Sequence, residues 1–416
     1  MRAWVVHPDI KSQNNRRLPE HGLAEAVSLA VALPDLDVVG SEVVRLPKAH
    51  PGLLFGTGKI EELAQRFKAE DVGLVLIDGP VSPIQQRNLE REWKVKLLDR
   101  TGLILEIFSD RARTREGVLQ VEMAALSYQR TRLVRAWTHL ERQRGGLGFV
   151  GGPGETQIEA DRRAIDDAVG RIKKQLSKVV KTRALHRASR AKVPFPVVAL
   201  VGYTNAGKST LFNRLTGAKV MAKDMLFATL DPTMRGVELP DGPKVILSDT
   251  VGFISDLPTE LVAAFRATLE EVLSADLVLH VRDISHPETE EQSRDVADIL
   301  ANLGLPEDTP ALEIWNKIDQ TEGETRDTLQ TRAERNDDVY VLSALTGEGM
   351  QKLLEAVTAK LEAPKKAEDI HLTYAQGRER AWLYEKGVVE AETQDETGYK
   401  LSLFWTAREA KSFSKL

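Results

Sequence analysis

The sequence predicts an α/β protein: a central domain with a parallel sheet, preceded by a small α/β N-terminal domain and a long antiparallel helical hairpin, and followed by a small α+β C-terminal domain. Three observations carry this. The apolar runs VVALV (197–201), KVILSD (244–249), DLVLHV (276–281), ALEIWN (311–316) and DVYVLS (338–343) alternate with stretches long enough to be helices, as parallel strands require. Between residues 111 and 192, apolar side chains recur every seven positions on two successive stretches, the mark of two long helices packed along a seam. At 416 residues the chain exceeds one comfortable core, and the stiff links Val193-Pro194-Phe195-Pro196 and Pro364-Lys365-Lys366 divide it.

Residues 1–110 form the first domain. AWVVH and LDVVGSEVVRL read as strands, Ile60 to Lys68 as a helix, and VGLVLID from Val72 as a buried strand ended by Gly79-Pro80. Ser82 is placed to cap a helix running to about Trp93, after which VKLLD is a further strand. Gly56-Thr57-Gly58-Lys59 lacks the spacing of a phosphate loop and reads as a turn entering a helix.

Residues 111–192 are a different kind of unit. Leu119, Leu126, Leu133 and Leu140 make one seam, with Met123 and Trp137 beside it, and Ile158, Ile165, Ile172 and Val179 make a second, supported by Val169 and Leu176. The seams face each other in an antiparallel pair. From Arg111 to Lys192 there are 19 Lys and Arg against 8 Asp and Glu, a net of +11 within a chain whose total is −5. Such concentrated charge suits a polyanion. The tip, RQRGGLGFVGGPGETQIE, is not core material: glycines such as Gly146 permit close backbone approach, Arg142, Arg144, Arg162 and Arg163 can pair with phosphates, and Phe149 can stack on an unpaired base.

Residues 197–362 carry the five strands of the parallel sheet, and residues 367–416 a small α+β domain with a strand near His371 to Tyr374, a helix over Arg378 to Tyr384 and a hairpin around Glu396-Thr397-Gly398. Composition is that of a soluble globular chain, 42% hydrophobic and 29% charged. The absence of cysteine excludes disulfides and thiolate metal sites, and permits a reducing compartment. No apolar run approaches the roughly 20 residues of a membrane span, and the N-terminus lacks a signal-peptide pattern, so a cytoplasmic location is expected.

The central domain declares its chemistry through spacing. After the strand VVALV, Gly202-Tyr203-Thr204-Asn205-Ala206-Gly207-Lys208-Ser209-Thr210 fits G-x-x-x-x-G-K-[ST], a P-loop whose backbone N–H groups and following helix cradle phosphates. Lys208 reaches the terminal phosphates, and Ser209 can ligate Mg²⁺. Phe227-Ala228-Thr229-Leu230-Asp231 places Thr229 to join that metal shell as a first switch. Asp249-Thr250-Val251-Gly252 follows a strand as a second switch, its Asp249 holding Mg²⁺ through water and its Gly252 N–H sensing the γ-phosphate. Asn316-Lys317-Ile318-Asp319 selects guanine, because the Asp319 carboxylate accepts from both the ring N–H and the exocyclic amine, a pair that adenine lacks. Asn316 can bond the other edge, Lys317 can lie along the base, and Ser343-Ala344-Leu345 can supply a backbone N–H to the guanine carbonyl. The expected ligand is therefore GTP with Mg²⁺, with Lys208, Thr229 and Gly252 nearest the chemistry. Phe253 stands where Ras-like enzymes carry the glutamine that orients the attacking water; it can bond no water, so intrinsic hydrolysis is expected to be slow.

The combination of a basic hairpin bearing GGLGFVGGPGETQIEADRR with GYTNAGKST, FATLDPT, DTVGF and NKID resembles HflX, a family of ribosome-associated P-loop GTPases, over most of the chain. That family also has a hydrophobic residue after the second-switch glycine. The resemblance implies binding to the large (50S) ribosomal subunit, with the hairpin reaching 23S rRNA near the peptidyl-transferase centre. It further implies splitting or rescue of stalled ribosomes under stress such as heat, with ribosome-stimulated hydrolysis of GTP to GDP and phosphate. The chain is then expected to act as a monomer without DNA, peripheral membrane association remaining open. Two other readings share the nucleotide motifs: a G protein of ribosome assembly or tRNA modification, and a scaffold that uses GTP only structurally.

Overall fold

The computed structural model describes residues 1–11, 17–143, 153–190, 195–218, 226–227, 229–230, 233–240, 244–255, 257, 269, 271–306, 309–361, 365–395, 397–406, 409–410 and 413–414, with side chains of the two longest helices described at 115–133 and 159–179. The chain divides into two compact units, Met1–Glu238 with Pro243–Met350, and Leu239–Gly242 with Gln351–Leu416. Among the described residues no helix is long and apolar enough to cross a membrane.

The first unit opens with a four-stranded parallel sheet of order β2-β1-β3-β4, from β1 (Arg2–Ile10), β2 (Asp37–Leu46), β3 (Leu74–Ile77) and β4 (Lys96–Asp99). Alternation along β1 sends Val5 to one face and Val6 to the other, so each face buries its own core. Helices α1 (Pro19–Val31) and α4 (Arg100–Arg111) cover the first face with Leu29, Ile104 and Phe108; α2 (Thr57–Ala69) and α3 (Pro83–Trp93) cover the second with Leu63, Phe67, Leu89 and Trp93. Gly56 precedes α2 as the turn leading into that helix, and Lys59 pairs with Glu42 and Glu62 at 3.1 and 3.0 Å.

Apolar patterning announces neither α1 nor α4. In LILEIF (103–108) the apolar residues run almost without a break, and periodicity cannot tell such a short run as helix or strand. Asp99 marks the helix start instead, its carboxylate accepting the Gly102 N–H at 2.8 Å as the N-cap of α4.

Helices α5 (Arg115–Gln143) and α6 (Pro153–Arg190) pack on each other, and Arg130 meets Asp166 at 2.7 Å, each thirteen residues from its own end of the connection, so they run antiparallel. The root of α5 also packs on the N-terminal domain, since Val121 and Ala124 are buried in the same core as Phe108 and Ile104. The first turns of the α5 seam thus serve that domain as well as α6. Trp137, Leu140 and Ile158 have side chains outside the described residues.

The nucleotide-type sheet follows, in the order β10-β9-β8-β5-β7-β6. It comprises β5 (Val197–Val201), β6 (Thr233–Glu238), β7 (Lys244–Asp249), β8 (Leu277–Asp283), β9 (Ala311–Asn316) and β10 (Val339–Val341). Every pairing is parallel except the edge strand β6 on β7. TMRGVE has no apolar alternation to betray that strand, because an edge exposes most of its side chains. Helices α7 (Lys208–Thr216), α8 (Thr289–Leu303) and α9 (Gly323–Glu334) make the crossovers. Helix α10 (Met350–Leu361) spans the boundary between the units in the chain.

In the second unit, β11 (Lys365–Thr373), β12 (Val389–Gln394) and β13 (Gly398–Thr406) form an antiparallel sheet of order β11-β13-β12 beside α11 (Gly377–Glu385). Leu372, Leu383, Leu401, Leu403 and Trp405 are its core.

Ser82 caps α3 with a reciprocal pair: its hydroxyl accepts the Gln85 N–H at 3.2 Å while Gln85 Oε1 accepts the Ser82 N–H at 2.9 Å. Ser82→Ala should therefore cost about 1 kcal/mol. Guanidinium unfolding monitored on the N-terminal domain should show a lower midpoint at unchanged slope; an unmoved midpoint would show that the cap contributes nothing there.

Candidate nucleotide-binding site

Parallel strands open their loops on one edge of the sheet, so the motif residues begin as neighbours. Gly202 ends β5 at φ 151°, where a Cβ would lie 2.1 Å from the Val281 carbonyl of β8. Gly207 has φ 93°, and a Cβ there would lie 2.2 Å from Asn316 Nδ2. Neither position admits a side chain, and α7 starts at once at Lys208, its N–H groups turned to the loop.

Lys208 is buried, and its ammonium donates to the Gly202 and Tyr203 carbonyls at 3.1 and 2.8 Å. Burial pushes its pKa down to about 8, with Asp249 partly opposing. A buried ammonium solvated by two carbonyls favours an anion, and the P-loop is where phosphate oxygens would supply one. The Thr204 hydroxyl nearby is buried without a hydrogen-bond partner among the described residues.

The three residues expected around Mg²⁺ meet. Ser209 Oγ lies 2.8 Å from Thr229 Oγ1 and 2.7 Å from Asp249 Oδ2, and Thr229 Oγ1 donates to that same oxygen at 3.1 Å. Asp249 Oδ1 is buried with no partner among the described residues, and burial raises the carboxyl's pKa, with the hydrogen bond from Ser209 and the charge of Lys208 opposing. This oxygen-only donor set fits a hard divalent cation and not a soft one.

The second switch is zipped to the P-loop. The Thr204 N–H donates to the Phe253 carbonyl at 2.7 Å, and the Phe253 N–H to the Gly202 carbonyl at 3.1 Å. A Cβ on Gly252 would lie 2.9 Å from Thr204 Cα and 3.0 Å from Lys208 Nζ, so this backbone passes close to the ammonium. Thr250 Oγ1 anchors the segment on the Leu200 carbonyl at 2.6 Å. Phe253 is 1% exposed and belongs to the apolar core that also holds Val251, Leu230, Phe227 and Ile254.

At the base-reading end, Asp319 sits in the single turn Ile318–Gln320 with Oδ1 buried and no partner among the described residues. Lys317 has φ 67° and pairs with Asp283 at 2.8 Å. Asn316 is engaged at both ends of its amide: Nδ2 donates to the Ala206 carbonyl at 2.8 Å, and Oδ1 accepts the Ala344 N–H at 2.9 Å. The residue expected at the far edge of the base thus joins the base loop to the P-loop and to Ser343-Ala344. Ser343 is fully buried, whereas Leu345 is 69% exposed. Asn205 holds φ 61° within the loop, and Thr210 is half-buried on α7.

Ala228, Asp231, Arg144, Gly146 and Phe149 lie outside the described residues, as does the Arg142 side chain. Arg162 and Arg163 are exposed on α6, facing Asp166 at 3.9 Å and Glu159 at 2.8 Å one turn away, solvent-screened pairs of small energy.

Sequence reasoning missed a second layer. The Tyr203 hydroxyl donates to Glu25 of α1, and Arg100 of α4 reaches Glu25 at 2.5 Å and the Ser255 carbonyl at 3.0 Å. No local pattern marks Glu25 or Arg100.

Residues 20–109 match the family described as GTP-binding GTPase N-terminal, 111–190 the GTP-binding GTPase Middle Region, 197–317 the 50S ribosome-binding GTPase and 328–415 the HflX C-terminal domain. The chain is 53% identical to a GTPase HflX of Magnetococcus marinus, with 84% of this chain and 79% of that one aligned. It is 46% identical to GTPase HflX of Escherichia coli, over 84% and 81% of the two chains. Among solved structures, a GTP-binding protein from Sulfolobus solfataricus in complex with GDP aligns with a TM-score of 0.45 at 23% identity, covering 87% of this chain and 99% of that one.

Asp319→Asn tests the base site. Replacing a two-oxygen acceptor by an amide should lower GTP affinity on the order of a hundredfold. Affinity for xanthosine triphosphate, whose C2 carbonyl accepts the new N–H, should rise. Titration with labelled nucleotides measures both, and unchanged base preference would remove Asp319 from the site.

Proposed function

This chain belongs to the HflX family of ribosome-binding GTPases, and we propose that it uses GTP to engage the large ribosomal subunit through its basic hairpin and releases it on hydrolysis. The carrying observation is the meeting of Ser209, Thr229 and Asp249 at the P-loop, on the same sheet edge as the orphaned Asp319 carboxylate.

GTP enters with its guanine on Asp319 and its phosphates on the P-loop N–H groups and Lys208. Ser209, Thr229 and Asp249 would hold Mg²⁺, which when bound would supply positive charge beside the transferred phosphoryl group. Thr229 and the Gly252 N–H close over the γ-phosphate, so both loops depend on its presence. In hydrolysis the bond from the γ-phosphorus to its bridging oxygen breaks as a water oxygen bonds to phosphorus, leaving GDP and phosphate. With the Phe253 ring in the core, no side chain at that position can orient the water. The turnover is therefore slow until the ribosome orders the two loops.

The hairpin supplies the partner. Arg142, Arg144, Arg162 and Arg163 pair with 23S rRNA phosphates near the peptidyl-transferase centre, and Phe149 stacks on an exposed base. Engagement there splits or rescues stalled ribosomes under stress such as heat, in the cytoplasm, by a monomer.

Purified 50S particles should raise GTP turnover on the order of tenfold or more. No stimulation, or failure to sediment with assembled 50S, would favour a role in subunit assembly or on tRNA instead.

Replacing Arg162 and Arg163 by alanine should weaken binding most at low salt. Each phosphate pairing removed should lower the slope of log affinity against log salt by about 0.7 to 0.9. A binding curve unchanged across salt would remove these arginines from the interface.

A further inference from the structure

The P-loop and the second switch are both tied to the N-terminal domain through one buried polar cluster. Glu25 accepts from the Tyr203 hydroxyl, from Arg100 at 2.5 Å, from Arg17 at 3.0 Å and from Ser255 Oγ at 3.1 Å. Ser255 is three residues beyond Gly252; its N–H donates to the Tyr203 hydroxyl at 2.9 Å, and its carbonyl accepts from Arg100 at 3.0 Å. Asp78, just past β3, holds the other arm of Arg100 at 2.6 Å. Each charge is set against an opposite one, Arg100 against Glu25 and Asp78, and Arg17 against Glu25, Glu288 and Asp295.

The first switch is tied to the same helix. Phe108, two turns along α4 from Arg100, packs edge-to-face on Phe227 with ring centroids 4.6 Å apart. Phe227 has φ 56°, a conformation that a bulky residue keeps only when its surroundings impose it. Two residues later Thr229 reaches Ser209 and Asp249. One helix outside the GTPase domain therefore touches both loops, at Ser255 and at Phe227.

We propose that Glu25, Arg100 and Phe108 are positioning residues of the GTP site, which hold Gly252 and Thr229 in the closed arrangement that distinguishes GTP from GDP. This rests on the GTPase reading of the site and not on any ribosomal partner. The mechanism is linkage: a domain that stabilises the closed loops favours the nucleotide that needs them closed, and that nucleotide in turn strengthens the domain contact by the same factor. GDP, which has no γ-phosphate for Gly252 and Thr229 to meet, gains nothing from the closing of the two loops.

The test is the ratio of affinities for a non-hydrolysable GTP analogue and for GDP, measured by fluorescence titration on the full chain. Ser255→Ala, Glu25→Gln and Phe108→Leu should each lower that ratio about fivefold to tenfold, the scale of one net hydrogen bond or one aromatic pair, with GDP affinity within about twofold of wild type. The double variant Glu25→Gln/Tyr203→Phe should lose no more than the worse single variant, since both act on one contact. Should Glu25→Gln fold poorly, Ser255→Ala decides, because it removes a single hydroxyl. Ratios equal to wild type in folded variants, equal losses for GDP and analogue, or losses that multiply in the double variant would overturn the proposal. Wild type is titrated in parallel; its failure to bind either nucleotide would strike the GTPase reading itself.

Discussion

Because β5, β9 and β10 run parallel, their carboxyl ends release the phosphate loop, the base loop and the Ser343-Ala344 loop on one edge, and something must then hold three independent loops in register. Asn316 meets that need with a single buried amide, donating to the P-loop at Ala206 and accepting from Ala344. An unsatisfied amide at that depth would cost on the order of 1 to 3 kcal/mol, so both contacts are strongly favoured together. The tie also explains a glycine. Asn316 Nδ2 stands 2.2 Å from where a Cβ on residue 207 would be, so Asn316 in this place leaves no room for a side chain there.

Two kinds of buried charge surround this tie, and they act differently. Among the described residues Lys208 donates to two carbonyls, an arrangement that is incomplete and leaves affinity for an anion. Glu25, Arg100 and Asp78 complete one another. Burial alone would raise the two carboxyls, yet Arg100, with Arg17 and Tyr203 beside Glu25 and His7 beside Asp78, holds both below the ordinary carboxylate range. A closed network of this kind rigidifies, whereas an open one binds. Tyr203 belongs to both: its carbonyl serves Lys208 and its hydroxyl serves Glu25.

How much of this was legible beforehand follows from the range over which each contact acts. Gly202, Gly207, Lys208 and Ser209 lie within eight consecutive residues because one phosphate group must be reached from one turn, and spacing therefore reveals them. The α5 and α6 seams were legible for the same reason, a local period. Glu25 is 178 positions from Tyr203, and Arg100 is 155 from Ser255; a hydrogen bond between distant elements leaves no mark on the pattern around either residue. Helix α4 was hidden by a continuous apolar run, and β6 by the opposite fault, an edge strand with too few apolar residues to alternate. The engagement of Asn316 was hidden too, because its partners are backbone groups that any sequence possesses.

The hairpin and the switch loops meet at two consecutive residues. Asp99 accepts the Tyr128 hydroxyl at 2.6 Å and Arg132 at 2.9 Å, both from α5, while the next residue, Arg100, holds Ser255. Asp99 also caps α4, so its carboxylate cannot follow α5 without disturbing the helix start that aims Arg100. Helix α5 has 29 residues and is about 43 Å long at 1.5 Å per residue. A tilt of about 5° at its root therefore displaces its far end by about 4 Å, and conversely a load on the far end acts on the root with that leverage. The contacts resisting it nearest the sheet are those of Tyr128 and Arg132 on Asp99, one peptide bond from the guanidinium that holds the second switch.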